Sequence, residues 1–264
     1  MKLETKAVEK VWGRSHLPPP FTAQGDDEPI GEIWFDPPPA LSDVLVKYLF
    51  TSEKLSVQVH PTDAEAPEGS AGKEECWLVL DAEPDATLAI GFKKHIDTQA
   101  MRAAALDGSI EEALEWHPVK RGDFFYLPAG TVHAIGPGLT LVEVQQNSDI
   151  TYRLYDYGRP RELHLDDGVA VAKGDPYPPS QHRHVAEGAT ETLVDGPFFR
   201  FSQCAGAPDE ALVARHPGAV LALPLEGSVA VAGDTIAAGE CGLAESLNAV
   251  DFGKATRTLI VSGV

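Results

Sequence analysis

Between Leu45 and Gln146 the chain consists largely of short apolar runs, each closed by turn residues. LVKYLF, KLSVQVH, CWLVLD, TLAIGF, DFFYL and LTLVEVQQ are all of strand length, with alternating or continuous apolar character. CWLVLD and TLAIGF read as a pair of buried strands around an acidic turn. A chain punctuated this often is suited to burying its apolar side chains between β layers, so a mainly β fold is predicted. The rhythm breaks once. DTQAMRAAALDG, with Asp97 as N-cap, and SIEEALEWH, with Ser109 and Glu112 in capping-box spacing, predict two short helices, an insertion at about 96–117.

Past residue 170 the texture changes. KGDPYPPSQHRH is proline-rich and polar and reads as part of a linker over 173–190. FFRFSQC, AVLALPLEGSVAVAG, DTIAAGECGLA and RTLIVSG follow, with glycine turns at short spacing, the pattern of a small all-β unit. The expected organisation is a first domain at 1–172, the linker, and a small all-β domain at 191–264. The net charge of -19 argues against nucleic acid and anionic membranes as partners. Any anionic ligand would have to be held by a few local cations against an adverse field. Cys76, Cys204 and Cys241 are widely spaced and form no CxxC pair, which suggests neither a disulfide framework nor a thiolate zinc site. MKLETKAVEKVWG is charged and has no apolar h-region, and no later segment is long and apolar enough to span a bilayer. A cytoplasmic location is the expectation.

The residues that carry chemistry lie in the first part. In GDFFYLPAGTVHA, which begins at Gly122, PAG signals a tight turn and His133 opens the next strand. In LSVQVHP, Gln58 and His60 are two residues apart and so share one strand face, with Ser56 of the same parity. In GKEECWLVL, Glu75 shares parity with Trp77. Gln58, His60, Glu75 and His133 thus make an N2O2 set that suits Zn²⁺ or another divalent first-row metal. Each alone has an ordinary reading as a hydrogen-bonded strand histidine, a structural amide or a solvated carboxylate; the four together favour a metal. His182 and His184 read as solvated linker residues, and His216 precedes Pro217 in an apparent loop. His16, His95, His117 and His164 have no partner in an obvious pattern.

GDFFYLPAGTVH fits the second cupin motif, G(X)5PXG(X)2H, up to its histidine, with Pro137 where that motif has an asparagine. The first cupin motif is altered: Gln58-Val59-His60 replaces His-x-His, and the glutamate arrives later. With GKEECWLVL, LPAGTVHAIG and NSDITYRLYDYGR, this departure resembles the type I mannose-6-phosphate isomerases in their short bacterial form. The resemblance covers roughly residues 8–170, from VWG through GEIW to RELH; the C-terminal part matches only in texture. It implies a jelly-roll-like cupin barrel with a short helical insertion, plus a smaller C-terminal β-barrel or sandwich without metal ligands. It implies one zinc ion per chain on Gln58, His60, Glu75 and His133. It also implies catalytic roles for Lys73, Glu143 and Arg153, and substrate binding by Ser56, Lys73 and Arg153. Read from the residues alone, Arg153 would be a surface salt-bridge residue and Glu143 an outward-facing strand residue.

The implied activity interconverts mannose 6-phosphate and fructose 6-phosphate through a cis-enediol, in a monomer or homodimer with no nucleic-acid or membrane partner. That reaction needs a general base near C1 and C2 and an electrophile for the developing enediolate. Glu143 is the preferred base, as a carboxylate beside cations that is not spent on the metal; Lys73 or a metal ligand are the alternatives. Two other readings compete: a sugar-binding or regulatory cupin without turnover, and a cupin isomerase or oxygenase acting on a different substrate. Gln58 in place of the first histidine disfavours an Fe(II) dioxygenase, and Lys73, Glu143 and Arg153 together exceed what sugar binding requires.

Overall fold

The computed structural model describes residues 1–22 and 29–264. Among these, the strands form four antiparallel sheets stacked in layers. The largest runs β1 (Thr5–Arg14), β2 (Ile30–Phe35), β3 (Val44–Phe50), β10 (Leu139–Gln146), β5 (Glu75–Ala82), β8 (Asp123–Leu127) and β12 (His182–His184). Opposite it lie β11 (Tyr152–Tyr155), β4 (Val57–Val59), β9 (His133–Ile135), β6 (Thr87–Phe92) and β7 (Leu114–Pro118). No strand pairing joins these two sheets among the described residues, so the expected jelly-roll-like cupin core takes the form of two facing sheets. The third sheet is β13 (Glu191–Asp195), β14 (Arg200–Cys204), β20 (Arg257–Ser262), β15 (Val220–Glu226) and β18 (Gly242–Ala244). The fourth is β17 (Asp234–Ala237), β16 (Ser228–Val231) and β19 (Val250–Asp251).

Strand alternation explains the layering. On the seven-stranded sheet Leu49, Trp77, Val79, Phe125 and Leu141 face Leu88, Ile90 and Ile135 of the second sheet. The opposite face carries Val46, Tyr48, Cys76, Leu78, Val142 and Val144, which pack on Phe201, Leu221, Leu223, Leu259 and Val261 of the third. The largest sheet is therefore buried on both faces, and its strands read as continuous apolar runs for that reason. The C-terminal sheets buttress the wall that holds the site described below.

Three expectations need correction. CWLVLD and TLAIGF do not pair with each other: β5 bonds to β10 and β8, while β6 bonds to β9 and β7 in the facing sheet. Asp97 does cap helix α1 (Thr98–Asp107), accepting from the Ala100 N–H at 2.8 Å, and Gly108 ends it with φ 85°. The second helix, α2 (Ile110–Ala113), is a single turn, and LEWHP leaves it to pair with β6. Ser109 does not cap it; the hydroxyl bonds instead to Asp107 Oδ1 at 2.6 Å. Pairing along β6 outweighed a capping signal too short to propagate a helix. Finally, the presumed linker supplies β12, in which His182 lies opposite Phe125 with the two rings stacked at 4.2 Å.

His216 lies in a loop before Pro217, as its sequence reading has it, but it is buried. It follows the short helix Glu210–Arg215, is only 1% exposed, and lies 2.8 Å from both Ser202 Oγ and Ser262 Oγ. Burial, with Arg200 and Arg215 nearby, lowers its pKa from 6.5 to about 4. The unfolded chain therefore binds a proton that the folded chain refuses between those values. Stability from this group is present above the unfolded pKa and is lost as pH falls toward the folded one. The full effect is on the order of 3 kcal/mol. Urea unfolding at pH 7.5 and 4.5 should show a smaller acid loss in His216→Gln than in the wild type. Equal losses would remove His216 as the source.

Candidate metal centre and active site

β4, β9 and β5 bring His60, which follows β4, together with His133 and Glu75; all three are buried, and their donor atoms lie within 4.8 Å of one another. Each imidazole is oriented from behind: His60 Nδ1 meets the Ile150 carbonyl at 2.7 Å and His133 Nδ1 the Thr131 carbonyl at 2.9 Å. Protonation at Nδ1 leaves both Nε2 lone pairs facing Glu75, at 3.6 and 3.3 Å from its oxygens. Backbone partners of this kind are what fixes the tautomer of a metal-binding histidine.

Burial lowers the pKa of both imidazoles, and Lys73 pushes in the same direction, so they stay neutral. Burial alone would raise that of Glu75, but Lys73, which faces it as a cation and donates to it, holds the carboxylate below its ordinary range with help from Lys47. Two neutral nitrogens and one ionised carboxylate are the forms a divalent ion requires. Glu75 Oε1 is a buried acceptor with no hydrogen-bond partner among the described residues. The donor set therefore fits a metal.

Gln58 stands beside this trio, opposite His133 in the strand ladder, with Nε2 at 3.2 Å from His133 Nε2. Its Oε1 faces Ser56, whose buried hydroxyl donates to it at 3.2 Å. Amide orientation is an assignment from the hydrogen-bond network, and reversing this one would turn Oε1 toward the trio while Ser56 accepts from Nε2. Ser56, Gln58, His60, Glu75 and His133 thus converge as their parity predicts.

Lys73 and Glu143 lie against the same trio. Lys73 Nζ is 2.7 Å from Glu75 Oε2, 3.3 Å from His60 Nε2 and 3.5 Å from Glu143 Oε1. Glu143 faces the interior and not outward: it is 3% exposed, and the Trp77 indole donates to it at 3.2 Å. The residue missed from sequence is Lys47, which lies opposite Glu143 in the ladder and 2.9 Å from its carboxylate. Burial alone would lower the lysine's pKa, but Glu143 and Glu32 more than reverse this and raise it, while the Trp34 ring covers its ammonium group at 5.3 Å. The signal was there in LVKYLF, where a lysine interrupts an apolar run at the parity of Leu45 and Leu49.

Arg153 lies beside Gln58 across the ladder, so both side chains share one face, and both are half-buried where His133 is buried. This side of the row marks the mouth. Arg153 Nη1 donates to the Glu162 carbonyl at 2.8 Å, and it makes no ion pair among the described residues. Burial, helped by Arg161, lowers its pKa. Arg159 and Arg161, also unremarked in the sequence reading, are both anchored on buried Asp156, at 2.6 and 2.5 Å. In a chain of net charge -19, Arg153, Arg159 and Arg161 gather three cations within nine residues of sequence.

No family model matches the chain. Curated relatives do. Mannose-6-phosphate isomerase ManA of Bacillus subtilis is 41% identical across 59% of this chain and 53% of its own length. Mannose-6-phosphate isomerase of Streptococcus mutans is 40% identical across 59% of this chain and 52% of its own length. The crystal structure of the mannose 6-phosphate isomerase from Bacillus subtilis superposes with a TM-score of 0.79, at 27% identity, over 100% of this chain and 99% of that one. The chain is similar to bacterial mannose-6-phosphate isomerases. Its sequence matches span about half the length of the curated relatives. The fold likeness reaches further, to a phosphomannose isomerase of Salmonella typhimurium at a TM-score of 0.73 and 17% identity, over 99% of this chain and 98% of that one. No helix among the described residues is long and apolar enough to cross a membrane.

Proposed function

We propose that this chain is a metal-dependent aldose–ketose isomerase that interconverts mannose 6-phosphate and fructose 6-phosphate. The observation that carries the reading is the meeting of the His60–Glu75–His133 group with the Lys73–Glu143 pair in one buried interior, in a relative of enzymes so named. A site that only bound a sugar would gain nothing from burying Glu143 between Lys47 and Lys73.

His60, Glu75 and His133, with Gln58 as the fourth ligand, would hold the ion, and the two-nitrogen, two-oxygen donor set suits zinc. When bound, it would supply positive charge that draws electron density from the sugar's C1 and C2 oxygens. Without it the nearest charges balance, Lys47 and Lys73 against Glu75 and Glu143. A divalent ion tips the interior positive, which favours an enediolate over the neutral sugar. Glu143 takes the proton from C2 and returns it to C1. Lys47, paired with that carboxylate at 2.9 Å, fixes its position, and Lys73 faces the developing oxyanion. Ser56 holds the Gln58 amide, and Arg153 at the mouth receives the phosphate.

A coupled assay for fructose 6-phosphate formed from mannose 6-phosphate, with and without chelator, tests the reading. Turnover that disappears on chelation and returns with Zn²⁺ is expected. A metal-loaded protein that binds mannose 6-phosphate without converting it would favour the sugar-binding alternative.

Arg153 provides a separate check. If it clamps phosphate, Arg153→Lys should fail nearly as badly as Arg153→Ala, because a point charge cannot reproduce a planar two-donor fork. Both variants should lose far more activity on mannose 6-phosphate than on free mannose. Comparable losses on the two sugars would move Arg153 from the phosphate to the enediolate.

A further inference from the structure

His60 and His133 are oriented by carbonyls of different origin. Thr131, whose carbonyl accepts from His133, lies two residues before it in the turn leading into β9. Ile150, whose carbonyl accepts from His60 at 2.7 Å, is 90 residues away in sequence, between β10 and β11. A carbonyl so distant along the chain can orient His60 only if the turn that presents it is itself fixed.

One buried side chain does most to fix it. Gln145, near the end of β10, is 0% exposed and lies opposite Glu75 in the strand ladder, at the parity of Glu143. A buried amide is costly unless it is hydrogen-bonded. Its Nε2 donates to the Gln146 and Ser148 carbonyls, both at 2.7 Å, which folds the chain back over the end of β10. Its Oε1 has no partner among the described residues, so those two donated bonds are what the amide contributes. The other side of the turn is tied to the segment that leads into Lys73 and Glu75. The Ser148 hydroxyl donates to the Ala71 carbonyl at 2.8 Å, and Gln146 Oε1 accepts from the Glu74 N–H at 2.8 Å. The Ile150 N–H donates to Ser148 Oγ at 3.4 Å, so the placing of Ser148 carries on to Ile150.

We infer that Gln145 is a positioning residue for the metal centre: its amide holds the turn at 146–150 so that the Ile150 carbonyl fixes His60 Nδ1 and leaves Nε2 for the ion. The inference rests on the metal reading of His60 and extends it to a residue that acts through the backbone. His133, whose carbonyl partner is local, lies outside this control. The orientation of one imidazole therefore depends on Gln145 and that of the other does not.

The test compares the two histidines within one protein. In ¹⁵N-histidine-labelled protein stripped of metal, His60→Gln and His133→Gln assign the two Nδ1–H signals, and the exchange of each proton with water is measured. Gln145→Met keeps the length and bulk of the side chain without its donors. It should speed exchange of the His60 proton by about fivefold or more, the factor that loss of one hydrogen bond corresponds to, and leave that of His133 unchanged. Zinc affinity, measured by competition with a chromophoric chelator, should fall by ~10–100-fold, as for other losses of a ligand's supporting partner. Ser148→Ala, at a half-buried position, should speed the same proton and not its counterpart, and it carries the test if Gln145→Met does not fold. Equal changes at His60 and His133, or none at either, would overturn the inference, because a general loosening of the fold would not single out one imidazole. Wild-type protein that binds no zinc would sink the metal reading instead, and the exchange comparison, made without metal, would still decide whether Gln145 positions His60.

Discussion

His133→Ala should leave a folded protein that no longer retains its metal and turns over mannose 6-phosphate more than about a hundredfold more slowly, beyond the ~10–100-fold losses typical of second-shell changes. His133 supplies one of only two nitrogens in the group and is packed at 5.2 Å from the Trp77 ring, so no neighbouring side chain can take its place. His60→Ala should behave alike, whereas Gln58→Ala should be milder, because water can replace a neutral amide oxygen. Metal content by elemental analysis and initial rates in the coupled assay give the two readouts. A His133→Ala protein with full occupancy and normal turnover would mean that the ion, or the reaction, belongs elsewhere. The fold should survive, since the apolar cluster around Trp77, Phe125 and Leu141 is contiguous without the site.

The convergence of these side chains was legible because β-strand parity is a local rule. Ser56, Gln58 and His60 had to share a face whatever the tertiary fold, and Glu75 had to share one with Trp77. Lys47 escaped notice because its meaning depends on a long-range pairing: only the register of β3 on β10 sets it opposite Glu143. Arg159 and Arg161 escaped for a similar reason, since a buried aspartate between them gives no sign in sequence that it is buried. The helix misread at LEWHP shows the converse, a local signal overruled by a neighbouring strand. The proline-rich stretch that yielded β12 shows how little a polar edge strand differs from a linker when it contributes only three residues. The mainly β class was legible throughout; which strands faced which was not, because the chain crosses repeatedly between the two facing sheets from β3 to β11.

Glu143→Gln should lower kcat by about 10²- to 10⁴-fold, the range for loss of a general base, while metal content stays at the wild-type level. The substitution keeps the shape and the bond from the Trp77 indole, and Glu143 is not part of the ligand group, so the loss would be chemical and not structural. Lys47→Met sharpens the assignment. Losing the ion pair at 2.9 Å frees the carboxylate to leave its position, so kcat should fall, though by less than in Glu143→Gln. Lys47→Arg should restore most of the rate if charge beside Glu143 is what matters. A proton acceptor elsewhere, such as Lys73, predicts a different pattern: Glu143→Gln and Lys47→Met would then both cost little. Solvent-exchange of the C2 proton during turnover separates the cases further, because a carboxylate that shuttles a single proton returns part of it before exchange, whereas the three protons of a lysine ammonium would dilute it. A Glu143→Gln enzyme with near-normal kcat on mannose 6-phosphate would take this residue out of the chemistry and leave the Lys47–Glu143 pair as a buried structural tie between two strands.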